Sequence, residues 1–399
     1  MRKKNILLVI RRGQPELEWI TPILYKLSKN NNIYIFFLSQ KAFNNLSKNN
    51  PIFLILKKIC KKIFIQNYKS NFFWRLLKKI LAKNNSFIDS KIHDPNYLIS
   101  KLSIKNKIDI IFTEYGNTSQ WIRSFIKLKE KPLIINYPSS PLSFGKGFDS
   151  SKSKYYKKKL ICDYVFLILK KDFYYWSKSI DKEKMLFYGN PSYDEWWIKK
   201  VSKNNVRVQS NKKSILYAYN SDFGLVPKEQ EKILEQDLYF FMKTFIDMKN
   251  MKNVSIIFKI HPLRNNPYYL NILNIFPKNR WSISELPLSL LSKKTHITIC
   301  THGSAAILNG LYAKKPSLEF CRSYFKNSVF PKRSITEIAG ISLLLKKNNL
   351  KKILTKAIYF PNDNIWIKQK NKFASVYNPD LNASKKICET IFDKLVNES

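Results

Sequence analysis

The sequence predicts an α/β protein made of two halves, each a parallel sheet wrapped in helices, facing one another across a central cleft. Three observations carry that expectation. Short apolar runs rich in β-branched residues recur without polar alternation, at Ile6 to Ile10, Val254 to Phe258 and Ile297 to Cys300, and such runs suit strands covered on both faces. The first run leads through Gly13 into an amphipathic stretch and then a second run at Ile33 to Leu38, the strand, turn, helix, strand opening of a parallel domain. Residues 199–213, dominated by Lys, Asn, Ser and Gln, read as a linker before a fresh strand at Ser214 to Tyr219.

The remaining elements follow from their patterns. Over 16–28, Leu17, Ile20, Leu24 and Leu27 share one helical face. Asp109 to Phe112, Leu133 to Asn136, Tyr164 to Leu169 and Met185 to Tyr188 read as further strands. Segments 52–65 and 72–81 set apolar clusters against lysine pairs at helical spacing, including Lys57-Lys58, Lys61-Lys62 and Lys78-Lys79. They fit helices lying in an anionic membrane surface with Phe73 and Trp74 inserted, and equally a helix pair packed on its own sheet. Helices are expected over 227–248, 286–291 and 383–396, with an irregular stretch at 373–380. The domains expected are 1–205, 206–378 and a C-terminal helix in 379–399.

At roughly 100 to 200 residues per domain, the 399 residues make two or three domains. The net charge of +43 comes from 71 Lys and Arg against 28 Asp and Glu. Lys, Asn and Ile are abundant together, so a solvated basic surface accounts for much of it; an anionic membrane surface is the next partner, and nucleic acid is the least supported. The five cysteines are scattered, with no C-x-x-C and no zinc spacing, which fits a reducing compartment. The apolar run after Met1-Arg2-Lys3-Lys4 ends at Arg11-Arg12, too soon for a signal peptide, and no stretch reaches the ~18 to 20 apolar residues of a membrane span. The expected location is the cytoplasm, with peripheral attachment to the inner face of the membrane as a further option.

Two polar clusters emerge at predicted strand ends, where open α/β sheets keep their ligands. One is Lys259-Ile260-His261-Pro262; the other, about forty residues on, is Thr301-His302-Gly303-Ser304-Ala305-Ala306. Gly303 lets backbone approach a ligand closely, Ser304 is a good N-cap, and 305–313 has helical composition, so free N–H groups and a helix dipole are expected to meet a phosphate there. His261 can donate a proton or hydrogen bond to the same anion, or simply end a strand. In the first half, Thr113-Glu114-Tyr115-Gly116 delivers a carboxylate to a strand end, which suits a general base and also a capping or surface residue.

These motifs, with Gly189-Asn190-Pro191-Ser192-Tyr193-Asp194, carry a resemblance. Two α/β halves with an acidic residue in the first and a phosphate-binding helix start in the second describe the GT-B architecture of two Rossmann-like domains. The chain resembles bacterial surface-polysaccharide glycosyltransferases of that fold, in particular sialyltransferases through Glu114-Tyr115-Gly116, His261-Pro262 and Ser304. It is also similar to CDP-glycerol glycerophosphotransferases and capsule-synthesis transferases through the Gly189 to Asp194 stretch and Lys259-Ile260-His261-Pro262. Tyr115 departs from the acidic-acidic-Gly pattern, and Ala305 stands where a second hydroxyl residue is common.

The resemblance implies inverting transfer of a sugar, such as a sialic-acid-like unit from a CMP donor, or of a glycerophosphate unit, onto a glycan or lipid-linked acceptor of the cell surface. Glu114 would be the base, while His261 and the helix at Ser304 stabilise the leaving nucleotide. Lys259, Pro262, Glu285, His302, Gly303 and Ala305 would complete the nucleotide site. No Asp-x-Asp occurs, so neither a metal nor another cofactor is called for. Two other functions compete: a non-hydrolysing nucleotide-sugar 2-epimerase, for which Glu16, Glu18 and Glu114 are the candidate acid/base groups, and a non-catalytic basic protein that binds membrane or nucleic acid.

Overall fold

The computed structural model of the protein describes residues 2–10, 13–38, 40–44, 46, 50–65, 107–114, 125–126, 128–137, 161–168, 173, 176–177, 180–203, 213–219, 228–260, 268–301, 304, 306–320, 340–377 and 382–397. Two parallel α/β domains of Rossmann type flank a cleft. Among the described residues the N-terminal sheet comprises β1 (Asn5–Ile10), β2 (Asn32–Phe37), β3 (Cys60–Ile65), β4 (Ile110–Glu114), β5 (Leu133–Tyr137), β6 (Tyr164–Leu167) and β7 (Met185–Phe187). Their spatial order is β3-β2-β1-β4-β5-β6-β7. Every residue of β1, β4 and β5 is buried, which is why each carries a continuous apolar run, Ile6 to Ile10, Ile110 to Phe112 and Leu133 to Ile135.

Helix α1 (Gln14–Leu27) starts from Gly13 at φ 98° with Pro15 in its first turn. That backbone conformation favours glycine. Leu17, Ile20, Ile23, Leu24 and Leu27 are buried on the N-terminal core. A short helix, α2 (Gln40–Asn44), follows β2, and α3 (Pro51–Ile59) is capped by the side chain of Asn50, which accepts from Ile52 N.

Here the structure corrects the sequence pattern: the helical spacing of 52–65 holds only as far as Ile59, and 60–65 is the edge strand β3 beside β2. Its Lys61 and Lys62 are exposed, as lysines on edge strands generally are. Ile52, Phe53, Ile55 and Leu56 of α3 pack into the core, so this segment has turned its apolar face to the protein rather than to a bilayer. Segment 72–81, with Phe73 and Trp74, lies outside the described residues. The linker expected over 199–213 is also shorter than its composition suggests. Helix α4 (Glu195–Lys203) runs through its first part with Trp197 and Val201 buried, and β8 begins at Lys213.

The C-terminal sheet holds β8 (Lys213–Tyr219), β9 (Val254–Ile260), β10 (Trp281–Ile283), β11 (Ile297–Thr301), β12 (Ser317–Phe320) and β13 (Leu343–Leu345), in the order β10-β9-β8-β11-β12-β13. Around it lie α5 (Lys228–Asp247), α6 (Tyr268–Asn274), α7 (Leu288–Lys294), α8 (Ile307–Tyr312), α9 (Leu350–Tyr359) and α10 (Asn364–Tyr377). The stretch expected to be irregular from Phe373 is helical as far as Tyr377. Phe373 and Tyr377 are stacked and buried, with Phe373 edge-on to Tyr312, so tertiary packing outweighs the weak helix preference of Ala-Ser-Val-Tyr. Residues 378–381 lie outside the described residues.

The last helix, α11 (Ala383–Asn397), returns to the N-terminal domain and lies against α1, burying Ile387 and Ile391 and donating from Cys388 Sγ to Ile23 O. Its first turn is held by the buried carboxylate of Asp194, which accepts from the N–H groups of Ala383 and Ser384 at 2.9 Å each and from the Ser384 hydroxyl. Burial pushes the Asp194 carboxyl up, and those hydrogen bonds, with one from Trp196, oppose the shift.

Candidate functional site

In both sheets the strand order reverses direction once, between β1 and β4 and between β8 and β11. Ligands of open α/β sheets sit beyond the carboxyl ends of the strands at such points. On the N-terminal side three polar residues converge there. Glu16 lies in the first turn of α1, directly after β1, where the helix dipole favours a carboxylate. Glu114 is the last residue of β4 and pairs in register with Tyr137, the last residue of β5. All three are buried. The Tyr137 ring stacks on Trp19 at 5.6 Å, and its hydroxyl makes a long hydrogen bond of 3.5 Å to Glu16 Oε2. Burial, and then the negative charges of Glu16 and Glu114, push the Tyr137 phenol well above its ordinary value. It therefore keeps its proton at neutral pH and acts as a hydrogen-bond donor.

Glu18, two residues along α1 and half-buried, acts on groups outside this cluster. Its charge is felt by Tyr193 and by Lys259 of the C-terminal domain. Lys259, next to last in β9, is buried and donates from Nζ to the carbonyl oxygen of Glu285 at 2.8 Å. Burial pushes this ammonium below its ordinary value, while the carboxylates of Glu18 and Glu285 oppose that. The Glu285 side chain is exposed.

Ser304 follows the end of β11, but it is not the N-cap of a helix starting at Ala305. Its hydroxyl accepts from Ala306 N at 3.3 Å, its N–H reaches back to Thr301 O, and α8 begins only at Ile307. The serine closes a local turn instead, an arrangement that competes with helix entry. His261, Pro262, His302, Gly303 and Ala305, like Tyr115 and Gly116, lie outside the described residues.

The structure thus brings Glu114 together with Glu16 and Tyr137, and places Lys259 within electrostatic reach of Glu18 across the cleft. Tyr137 was the residue sequence reasoning missed. The available signal was its position, a tyrosine closing a strand beside the strand that ends in Glu114. The Gly189 to Asp194 stretch serves another purpose. Gly189 has φ 85°, Asn190 accepts from Ser192 N, and Tyr193 lies flat on Tyr312 of α8 at 4.1 Å and 7°, donating its hydroxyl to Asn309. With Asp194 holding α11, this stretch ties both domains together.

No protein-family model matches the chain, and no curated protein matches it. Solved structures share its fold. The S. aureus MnaA–UDP co-structure is 15% identical with a TM-score of 0.58, covering 98% of this chain and 97% of that one. A UDP-N-acetylglucosamine 2-epimerase is 12% identical with a TM-score of 0.56 over 99% and 98% of the two chains. CalG4, the calicheamicin glycosyltransferase, is 10% identical with a TM-score of 0.55 over the whole of both. The protein therefore has the GT-B fold, which epimerases and glycosyltransferases share. At these identities the likeness shows the fold alone.

Proposed function

We propose that the protein is a metal-independent enzyme that isomerises a nucleotide-activated sugar in the inter-domain cleft, in the manner of a UDP-N-acetylhexosamine 2-epimerase. The observation that carries this reading is the buried cluster of Glu16, Glu114 and Tyr137 at the N-terminal switch point. Inverting a C–H centre requires one group to remove a proton from one face and another to return a proton to the opposite face. The two carboxylates supply both, and the phenol, held protonated, hydrogen-bonds one of them. The C2 hydrogen becomes removable when the nucleotide leaves: the C2–H electron pair forms a C1–C2 double bond as the C1–O bond breaks towards the diphosphate. Re-addition of the diphosphate to C1 and of a proton to the other face of C2 completes an isomerisation with no acceptor and no net redox change.

Glu114 is the base in this scheme, and Glu16, positioned by the Tyr137 hydroxyl, returns the proton. Lys259, His261 and the turn at Ser304 steady the departing diphosphate, as anion-binding groups at strand ends do. The carboxylates are buried in this structure, so a sugar reaches them only when the chain around them moves. The fold shared with a UDP-bound relative and with a UDP-N-acetylglucosamine 2-epimerase supports the choice of reaction.

The second reading, favoured by the whole-chain fold likeness to a glycosyltransferase, is inverting transfer with Glu114 as base for an acceptor hydroxyl. In it a CMP-linked acidic sugar or a glycerophosphate unit is the donor and a cell-surface glycan the acceptor. Incubation with UDP-N-acetylglucosamine alone in D2O separates the two. An epimerase puts deuterium at C2 and produces the C2 epimer, whereas absence of exchange, together with release of CMP from a CMP-linked sugar or CDP-glycerol only on adding an acceptor, selects the transferase.

A further inference from the structure

The edge of the C-terminal sheet opposite the cleft collects charge of one sign. Lys213 opens β8, His296 immediately precedes β11, and Lys315 lies just before β12, three adjacent strands whose amino ends are tied by His296 N to Ser214 O and Thr298 N to Pro316 O. Helix α7 ends at the same edge with Lys293 and Lys294. Helix α10 is pinned across it because Gln369 exchanges two hydrogen bonds with the backbone of Ser317, at 3.1 and 2.7 Å, which sets Lys370 beside Lys315. The cations feel one another: burial and then the charges of Lys293 and Lys370 push Lys315 down, and burial and then Lys315 and Lys213 push His296 down. Among the described residues no ion pair uses Lys213, Lys293, Lys315 or Lys370.

Beside these charges the corner between α9 and α10 exposes apolar side chains. Phe360 is 60% exposed and Ile367 is 43% exposed, and Asp363, between them, is paired with Lys356. The corner adjoins the basic edge directly, since Lys213 Nζ lies 4.1 Å over the ring of Tyr359 and donates to Ile358 O. Ile367 is also three residues from Lys370 along α10. Cations for headgroups flanked by apolar side chains that can enter an acyl layer are the two components of interfacial binding.

We propose that this edge, with Lys213, Lys293, Lys315 and Lys370 around Phe360 and Ile367, is a docking face for an anionic lipid bilayer. It lies at the end of the sheet away from the cleft, so docking leaves the strand ends that carry the proposed site uncovered. A polynucleotide or soluble polyanion would use the lysines but leave the apolar corner idle, and charge complementarity together with exposed Phe360 and Ile367 favours lipid.

The test is sedimentation of the full chain with vesicles of phosphatidylcholine alone or mixed with phosphatidylglycerol, with circular dichroism confirming the fold of each variant. Binding to the mixed vesicles and not to the neutral ones is expected. Lysines at an anionic surface are each worth a factor of about five, so the variant Lys293→Glu, Lys315→Glu, Lys370→Glu should lose at least tenfold. Phe360→Ser with Ile367→Ser should lose several-fold, most visibly at high salt where the charge contribution is screened. Charge reversal of Lys61 and Lys62 on the distant β3 edge should change nothing. The proposal is overturned if the wild type ignores the anionic vesicles, if the triple variant binds like the wild type, if the Lys61 and Lys62 variant loses the binding instead, or if the Phe360 and Ile367 variant binds unchanged while duplex DNA displaces the protein from the vesicles.

Discussion

At the carboxyl edge of the N-terminal sheet the chain buries two carboxylates around one phenol, whereas at the matching edge of the C-terminal sheet it buries a lysine and ends a strand in a serine-closed turn. The two edges share a topology, with the switch point between corresponding strands, and carry opposite charge. On the proposed function the difference divides the labour: the acidic edge moves protons on a sugar, and the basic edge holds an anion. Glu18 and Lys259 are the point at which the two fields meet.

The sharpest way to break this contrast is at its acidic end. Glu114→Gln keeps the shape of the side chain and removes the base, so C2 exchange in D2O should fall by about 10²- to 10⁴-fold while the melting curve stays close to wild type. Exchange at the wild-type rate would remove Glu114 from the chemistry. At the basic end, Lys259→Met should cost about 10²- to 10³-fold in turnover, and it carries a pH signature as well. Because the folded pKa of Lys259 lies below its ordinary 10.5, the unfolded chain binds more protons between the two values, so stability rises with pH across that window. The cost of burying the charge is fully present below the folded pKa. The variant's melting temperature should therefore lack the alkaline gain that the wild type shows relative to it, and parallel pH profiles would contradict the burial of this ammonium.

The acidic edge was more legible in the sequence than the basic one, for physical reasons. Unbroken apolar runs such as Ile6 to Ile10 have few alternatives to a doubly covered strand, and the polar residue ending such a run, as Glu114 does, is placed by the strand itself. Ser304 was harder to place, because a serine's hydroxyl can serve a helix cap or a local turn with the same backbone N–H spacing. Segment 60–65 misled because lysine pairs at helical spacing also suit the solvent face of an edge strand. β10 and β13, three residues each, are too short to show a period. The Gly189 to Asp194 stretch was visible as a motif, but that its Asp194 caps a helix almost two hundred residues later is fixed only by tertiary contact.

A smaller effect sharpens the basic side. Gly310 in α8 leaves no room for a side chain: an added Cβ would lie 2.3 Å from Ser317 Oγ and 2.6 Å from Thr298 Cβ. Gly310→Ala should push α8 off β11 and β12 and destabilise the protein by about 1 to 3 kcal/mol, with anion binding at the C-terminal edge weakening in parallel. Unchanged thermal stability would mean that α8 can slide without cost, and then the position of the Ser304 turn is not set by this packing.

The contrast between the edges matters only if the domains keep a defined relation, and Tyr193 offers the finest probe of that. Its ring lies on Tyr312 and its hydroxyl donates to Asn309, both on α8. Burial, followed by the charge of Glu18 and by Tyr312, pushes its phenol well above its ordinary value. Tyr193→Phe removes only the hydrogen bond and should cost about 1 kcal/mol, whereas Tyr193→Ala also removes a stack worth about 0.5 to 1.5 kcal/mol beyond the area it buries. If α8 is the part of the C-terminal domain held to the N-terminal one through this ring, the Phe variant should turn over normally. The Ala variant should lose turnover out of proportion to its stability, because the acidic and basic edges would no longer meet in register. Equal turnover in the two variants, at saturating substrate, would show that the stack stabilises the fold without aligning the edges.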